Sequence, residues 1–289
     1  MVKKIKTYLS LIKFSHTLFA LPFAFIGYFL AIAQEGFSLK MLILITLAMV
    51  FARSAAMAFN RYTDREIDKK NPRTQNREIP AGKVKPKEAL ALTVVNALLF
   101  IATTYFMNKL VFLLSPVALF IVLGYSYTKR FTFLSHVVLG LGLSLAPLGA
   151  YLAVTGKFDL LPVLFSVVVW FWVAGFDIIY SLQDYEFDKN NNLKSVPVIL
   201  GKKNALFLSL AFHFISAVVI VIIGILYDFT FLYWIGSVVF IALLFYQHTI
   251  VKYDDLSKVN IAFFNTNSLA SIIFAIFVIA DIVYRIWIL

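Results

Sequence analysis

Eight stretches of this chain run for 17 to 26 residues without one Asp, Glu, Lys or Arg. They are Phe14–Gln34, Ala89–Asn108, Leu110–Thr128, Phe131–Gly156, Leu160–Phe176, Asn204–Tyr227, Phe229–Val251 and Val259–Ala280. A ninth, Met41–Thr63, carries Arg53 in mid-span. A helix of about 20 apolar residues crosses the ~30 Å hydrocarbon layer of a bilayer. Inside lipid, backbone groups must be satisfied within a helix or a closed barrel. Barrel strands are short and alternate in polarity, whereas these runs are continuously apolar. They predict an all-α integral membrane protein with nine transmembrane helices, near 14–34, 41–63, 89–108, 110–128, 131–156, 160–182, 204–227, 229–251 and 259–288, in one membrane-embedded domain over 1–289. Hydrophobic residues make up 61% of the chain and charged ones 14%. Soluble domains hold about 45–50% and about 25%, so an ordinary globular enzyme or a disordered chain is excluded. With no cysteine, disulfides and thiolate chemistry are excluded as well.

The scarce cations are unevenly placed. Of the 26 Lys and Arg, 21 fall in the N-terminal segment or in every second connection, among them Lys3, Lys4, Lys6 and Lys13. The other side has Lys40, Lys109, Lys157 and Arg285. By the positive-inside rule this predicts a cytoplasmic N-terminus and a multi-pass protein of the inner (cytoplasmic) membrane. The net charge of +11 is then topology rather than a nucleic-acid surface. The basic start and the uncharged run after it resemble a signal peptide, but the run is too long, so it is read as the first retained helix.

Two connections are long and polar, 61–88 and 184–203, and they begin alike. Asp64-Arg-Glu-Ile-Asp68-Lys-Lys-Asn71 and Asp184-Tyr-Glu-Phe-Asp188-Lys-Asn-Asn191 share five of eight positions, 120 residues apart. Four crossings separate them, so an internal repeat places two copies of one device on one face of the membrane. At i, i+4 and i+8, Asn60, Asp64 and Asp68 line one face of a helix; Asp177, Asp184 and Asp188, at i, i+7 and i+11, do the same. Carboxylates stacked in this way repel unless a cation sits among them. Oxygen donors suit Mg²⁺, which takes one or two carboxylates and completes its sphere with water and substrate phosphate. The adjacent Lys and Arg suit phosphate oxygens.

Asn60-Arg-Tyr-Thr-Asp64-Arg-Glu-Ile-Asp68, followed by Asn71-Pro-Arg-Thr74 and Arg77-Glu-Ile-Pro-Ala-Gly82, resembles the first signature of the UbiA superfamily of intramembrane aromatic prenyltransferases. Asp177 through Asp184-Tyr-Glu-Phe-Asp188 to Lys194-Ser195 resembles the second, and Tyr125-Ser-Tyr-Thr-Lys129-Arg130-Phe-Thr132 a third match. One departure is Arg61, where many members have Asp. The resemblance implies Mg²⁺-dependent transfer of a polyprenyl group from a polyprenyl diphosphate to an aromatic ring, with the bilayer receiving the apolar tail. Asp64, Asp68, Asp184 and Asp188, with Asn60, would hold the metal and diphosphate. Lys129, Arg130, Lys194 and Arg77 would neutralise the departing diphosphate. Tyr125 would contact the diphosphate or shield the carbocation. Arg53, costly in an apolar span, would clamp an aromatic carboxylate or bridge to a motif Asp. Asp177 would orient or deprotonate the acceptor hydroxyl, or support the metal from behind.

The stretch Ile12-Lys-Phe-Ser-His-Thr-Leu-Phe-Ala-Leu-Pro-Phe-Ala24 is similar to the 4-hydroxybenzoate subgroup of ubiquinone and quinone biosynthesis, with a naphthoate acceptor of menaquinone synthesis the alternative. A cation-coupled transporter is the alternative of another class, because it too can carry repeated acids. His213 and His248 are read as packing residues; His16 and His136 are read as packing or pocket residues. Asn265, Asn267 and Ser268 are read as inter-helix hydrogen-bonding groups.

Overall fold

A computed structural model describes residues 2–12 and 19–287. Lys13, His16 and much of the Ile12–Ala24 stretch lie outside the described residues. Among those described, the chain is helical throughout: α1 (Val2–Leu11), α2 (Leu21–Glu35), α3 (Leu39–Thr63), α4 (Arg65–Lys70), α5 (Pro86–Tyr105), α6 (Lys109–Thr128), α7 (Ser135–Thr155), α8 (Leu160–Ser181), α9 (Tyr185–Asn190), α10 (Val196–Leu226), α11 (Phe231–Ile250) and α12 (Asn267–Trp287). Eight helices are long and apolar enough to cross a membrane. They match the expected spans from the second onward, and α8 extends past Asp177. The first expected span differs: its described helix, α2, is apolar but has 15 residues.

Local chemistry sets the helix ends. Asn108 caps α6 by accepting from Val111 N at 3.0 Å, and Asp159 caps α8 by accepting from Leu161 N at 3.0 Å. Pro86 starts α5, where its missing N–H costs nothing, and Glu88 reaches back to Lys85 N at 2.9 Å. Gly156 ends α7 in the left-handed region at φ 65°. Gly201 breaks α10 after its first turn, with φ 78° and ψ 158°.

Helix pairs α7/α8, α8/α10, α3/α5, α2/α7 and α11/α12 make the principal contacts. Between α2, α8, α11 and α12 the core is aromatic: Phe23 lies 5.2 Å from Trp172, and Phe240 lies 4.9 Å from Phe274, ring centre to ring centre. Gly27 permits α2 to press on α7, because a Cβ there would sit 2.0 Å from the Pro147 carbonyl oxygen. Asn267 joins α8, α11 and α12 as the sequence suggested. Its Oδ1 accepts from Trp172 Nε1 and Gln247 Nε2, each at 2.9 Å. Its Nδ2 donates to the Ala262 and Phe263 carbonyls at 3.0 and 2.9 Å, satisfying the wide π-helical turn Ile261–Thr266. This half of the bundle is filled. The space between α3, α6 and α7 is not: it holds a cavity of about 920 Å³.

Candidate active site

The cavity is polar at one end and apolar along the rest. Asn60, Asp64, Asp68, Arg77, Lys129, Asp184 and Asp188 line the polar end, where both repeats meet. From there the wall descends through Met57, Ile121, Leu139, Leu143 and Leu114 to Ile45, Val111 and Leu152.

The repeat is a repeat of backbone geometry. Asp64 has φ −90° and ψ 3°; Asp184 has φ −95° and ψ 1°. Each precedes a six-residue helix carrying the second Asp, Asp68 in α4 and Asp188 in α9. This corrects the expectation of one unbroken helical face. Asp64 N still donates to Asn60 O at 2.9 Å and Asp68 N to Asp64 O at 2.7 Å, but the chain bends at Asp64, and a 3₁₀ turn, Leu182–Asp184, intervenes in the second copy.

Each of the four carboxylates has a base. Arg77 Nη1 donates to Asp68 Oδ1 at 2.7 Å. Arg130 Nη2 lies 3.6 Å from Asp64 Oδ1, and Lys129 Nζ lies 3.9 Å from Asp188 Oδ1. Arg73 reaches across from the first repeat to the second, donating to Asp184 through Nε at 2.8 Å and Nη2 at 2.5 Å, and to Tyr180 Oη through Nη1 at 2.9 Å. Asn71 Nδ2 also donates to Asp184 Oδ1, at 2.9 Å. Burial pushes the Asp64 carboxyl above the usual carboxylate range, against the pull of Lys129. Burial works against the Arg73 charge, but the hydrogen bonds and attraction of Asp184 outweigh it and raise its pKa.

Among the described residues no three carboxylates or imidazoles converge on one point. The donor set nevertheless suits a hard divalent cation. Asp64 Oδ1, Asp68 Oδ2 and Asp188 Oδ1 are buried oxygens without a hydrogen-bond donor, from residues 3–7% exposed. Asn60 donates Nδ2 to Asp64 Oδ2 at 3.0 Å, which leaves its own oxygen available as a ligand.

Two of the expected cations stand apart from the cavity wall. Lys194 is exposed, with Nζ on the Phe131 carbonyl at 3.1 Å. Arg130 donates to the Thr63 carbonyl at 2.5 Å and meets Asp64 from outside. Lower down, Arg53, Tyr125 and Asp177 all line the cavity. Arg53 Nε is buried without a partner, and no ion pair forms at Arg53 among the described residues, so the bridge to a motif Asp is not seen. Arg61 is 4% exposed on the same wall, and its Nε too is unpartnered. Asp177 Oδ2 accepts from His136 Nδ1 at 2.7 Å.

Sequence reasoning missed Arg73 and the His136 contact. Arg73 stands inside the quoted Asn71-Pro-Arg-Thr74 motif, but the second repeat has no counterpart, so comparing copies passes over it. His136 and Asp177 are 41 residues apart on different helices, and no spacing rule connects them. His213 and His248, read as packing, touch each other at 2.9 Å away from the cavity.

A cavity with a carboxylate-and-base head and a long apolar body, set among membrane-spanning helices, fits an intramembrane enzyme. The comparisons agree. The profile of the UbiA prenyltransferase family matches residues 20–269, and the chain belongs to that family; it is a prenyltransferase. A 4-hydroxybenzoate octaprenyltransferase of Francisella tularensis subsp. mediasiatica (strain FSC147) is 31% identical over 257 residues, 88% of this chain and 89% of that protein. The apo structure of a UbiA homologue from Aeropyrum pernix K1 superposes with a TM-score of 0.80 at 31% identity, covering 94% of this chain and 98% of that one. A UbiA homologue from Archaeoglobus fulgidus, bound to GPP and Mg²⁺, shares the fold with a TM-score of 0.74 at 23% identity, covering 95% and 99%. Membership in a transferase family supersedes the transporter alternative.

Proposed function

We propose that this enzyme transfers a polyprenyl group from its diphosphate to the ring of an aromatic acid, with 4-hydroxybenzoate the favoured acceptor, in quinone biosynthesis. The observation that carries this reading is the two-part cavity: paired Asp repeats with bases at its head, an apolar channel below, and the unpaired guanidinium of Arg53 on its wall. A relative at 31% identity that acts on 4-hydroxybenzoate supports the acceptor. We read α2, extended by the residues before it, as a ninth crossing, and the polar end as facing the cytoplasm, since the cations cluster there.

Asp64, Asp68, Asp184 and Asp188, with Asn60, would hold Mg²⁺, which would neutralise the diphosphate and favour its departure. Arg73, Arg77 and Lys129 turn from the carboxylates to diphosphate oxygens as the donor enters. The C1–O bond of the donor breaks and its electron pair leaves with the diphosphate. Tyr125 faces the resulting allylic cation, whose charge an aromatic ring stabilises, while the apolar channel walls keep water from it. Arg53 holds the acceptor carboxylate and thereby points the ring at the cation. A ring carbon forms the new C–C bond, and Asp177, backed by His136, accepts the proton that the ring or its hydroxyl releases.

The test is an acceptor panel. Membranes containing the enzyme are given radiolabelled prenyl diphosphate, Mg²⁺, and 4-hydroxybenzoate, a hydroxynaphthoate or benzoate. Labelled product from 4-hydroxybenzoate that vanishes with EDTA is the expected result. Product from the naphthoate alone would move the acceptor assignment, and no product from any acceptor would overturn the reading.

A further inference from the structure

The channel below the site is bounded in depth, and one of the two glycines on its α7 wall faces open space. At its far end, Asn108 Nδ2 donates to the Leu152 and Ala153 carbonyls at 2.7 and 2.9 Å. This ties the α5–α6 turn to the end of α7 beneath the lining residues Met107, Val111 and Leu152. Along α7, His136 at the head and Leu152 at the foot are separated by 16 residues. At 1.5 Å per residue the channel is about 24 Å deep, most of a hydrocarbon layer.

Two glycines mark its course on α7. A Cβ built on Gly142 would lie 3.5 Å from Val122 Cγ1, so α6 and α7 touch at that level. Seven residues further on, two turns down the same face, Gly149 also lines the cavity, but a Cβ there meets nothing within 4 Å. Here the wall is bare backbone fronting open space. Gly149 lies 13 residues from His136, about 20 Å below the head.

We infer that Gly149 sets the length of prenyl chain this enzyme accepts, because the tail of a long donor passes the bare backbone at this position while that of a short donor ends above it. The inference rests on the prenyl-transfer reading. A side chain at 149 enters the channel without displacing backbone, so its volume subtracts directly from the space for the distal isoprenoid units. It leaves the diphosphate head group and the metal ligands, at the other end of the channel, as they are.

The test is a graded series, Gly149→Ala, Gly149→Leu and Gly149→Phe, in the full-length protein in membranes, with Val94→Phe on the exposed face of α5 as a control for bulk. Donors are dimethylallyl, geranyl, farnesyl, geranylgeranyl and octaprenyl diphosphate. Turnover of any donor by the unaltered enzyme tests prenyl transfer on its own. The chain-length profile of the variants then tests Gly149. Turnover of the longest donors is expected to fall about tenfold or more in Gly149→Phe, by the cost of overpacking. Shorter donors should keep near-normal rates, and the cut-off should move to shorter chains as the side chain grows. A second readout needs no acceptor: thermal stabilisation of the purified protein by each donor with Mg²⁺ should rise with chain length in the unaltered enzyme and level off earlier in the variants. A profile that does not move, one that moves equally in Val94→Phe, or rates that fall together for all donors across the series would overturn the inference.

Discussion

His136 on α7 donates Nδ1 to Asp177 Oδ2 on α8 at 2.7 Å, and its own Nε2 is buried without a partner. The His136 side chain is 5% exposed, whereas the Asp177 side chain retains 20% and faces the cavity. The histidine, which also lines the cavity, sets the orientation of the carboxylate. Asp177→Asn should lower kcat about 100-fold, as loss of a general base does. His136→Ala should lower it about tenfold, with the KM for the prenyl diphosphate unchanged, and His136→Gln should recover part of the loss. Steady-state kinetics with both substrates would separate this from a packing defect, which would not discriminate between Ala and Gln in kcat alone.

Arg73 holds Asp184 in the absence of metal. Removing it leaves a partly buried carboxylate with only Asn71 as donor. Since the guanidinium retains 29% exposure, the cost is well below that of breaking a fully buried pair, about 1–2 kcal/mol. Arg73→Ala should therefore melt several degrees lower in EDTA, and added Mg²⁺ should recover most of the difference. Its KM for the donor should rise about tenfold. Equal melting temperatures in EDTA would show that the pair contributes nothing.

Asp64 carries the opposite consequence. Its carboxyl sits above the ordinary range because burial disfavours the charge. An acid whose pKa is raised by folding contributes stability that is complete below the unfolded pKa and lost as pH climbs through the folded one. Above the ordinary carboxylate range the buried Asp64 thus works against the fold. Asp64→Asn should abolish transfer yet raise the melting temperature in EDTA at about pH 7. That advantage should shrink as the pH falls through the raised pKa of the folded state and vanish below the ordinary Asp value of about 3.9, where the carboxyl is protonated folded or unfolded. Near-normal turnover of this variant with Mg²⁺ would refute the metal assignment.

Arg53 is expected to discriminate between acceptors. Arg53→Gln should raise the KM for 4-hydroxybenzoate about 10- to 100-fold, the worth of a hydrogen-bonded charge pair. It should leave the KM for the donor alone and weaken turnover of an uncharged phenolic acceptor far less. A uniform loss for both acceptors would identify Arg53 as structural.

How far the sequence carried differs by level. The spans from α3 to α12 were legible because a membrane helix announces itself by the absence of charge, and α3 tolerates Arg53 only on a cavity wall. The two Asp repeats were legible because identity at matched depth is improbable by chance. The bends at Asp64 and Asp184 were not, since i+4 spacing fits a straight helix as well as a bent one. Lys194 passed as a diphosphate ligand by its position in the motif, but in three dimensions it binds the Phe131 carbonyl on the outside of the loop. Contacts such as Arg73–Asp184 and His136–Asp177 depend on how distant helices meet, and no local pattern encodes that.

The matching of four acids with four bases at the head of the cavity has a thermodynamic consequence. Because the carboxylates are matched by bases, a diphosphate arriving alone would draw Arg73, Arg77 and Lys129 away from Asp184, Asp68 and Asp188, and a divalent cation arriving alone would leave those bases without their partners. Entering together, they would exchange partners: the four Asp carboxylates would face the cation, Arg73, Arg77 and Lys129 would face the diphosphate, and Arg130 would stay on Asp64 from outside. Metal and donor affinities would thereby be linked, each strengthening the other by the same factor, and the enzyme would respond to the pair rather than to either ion.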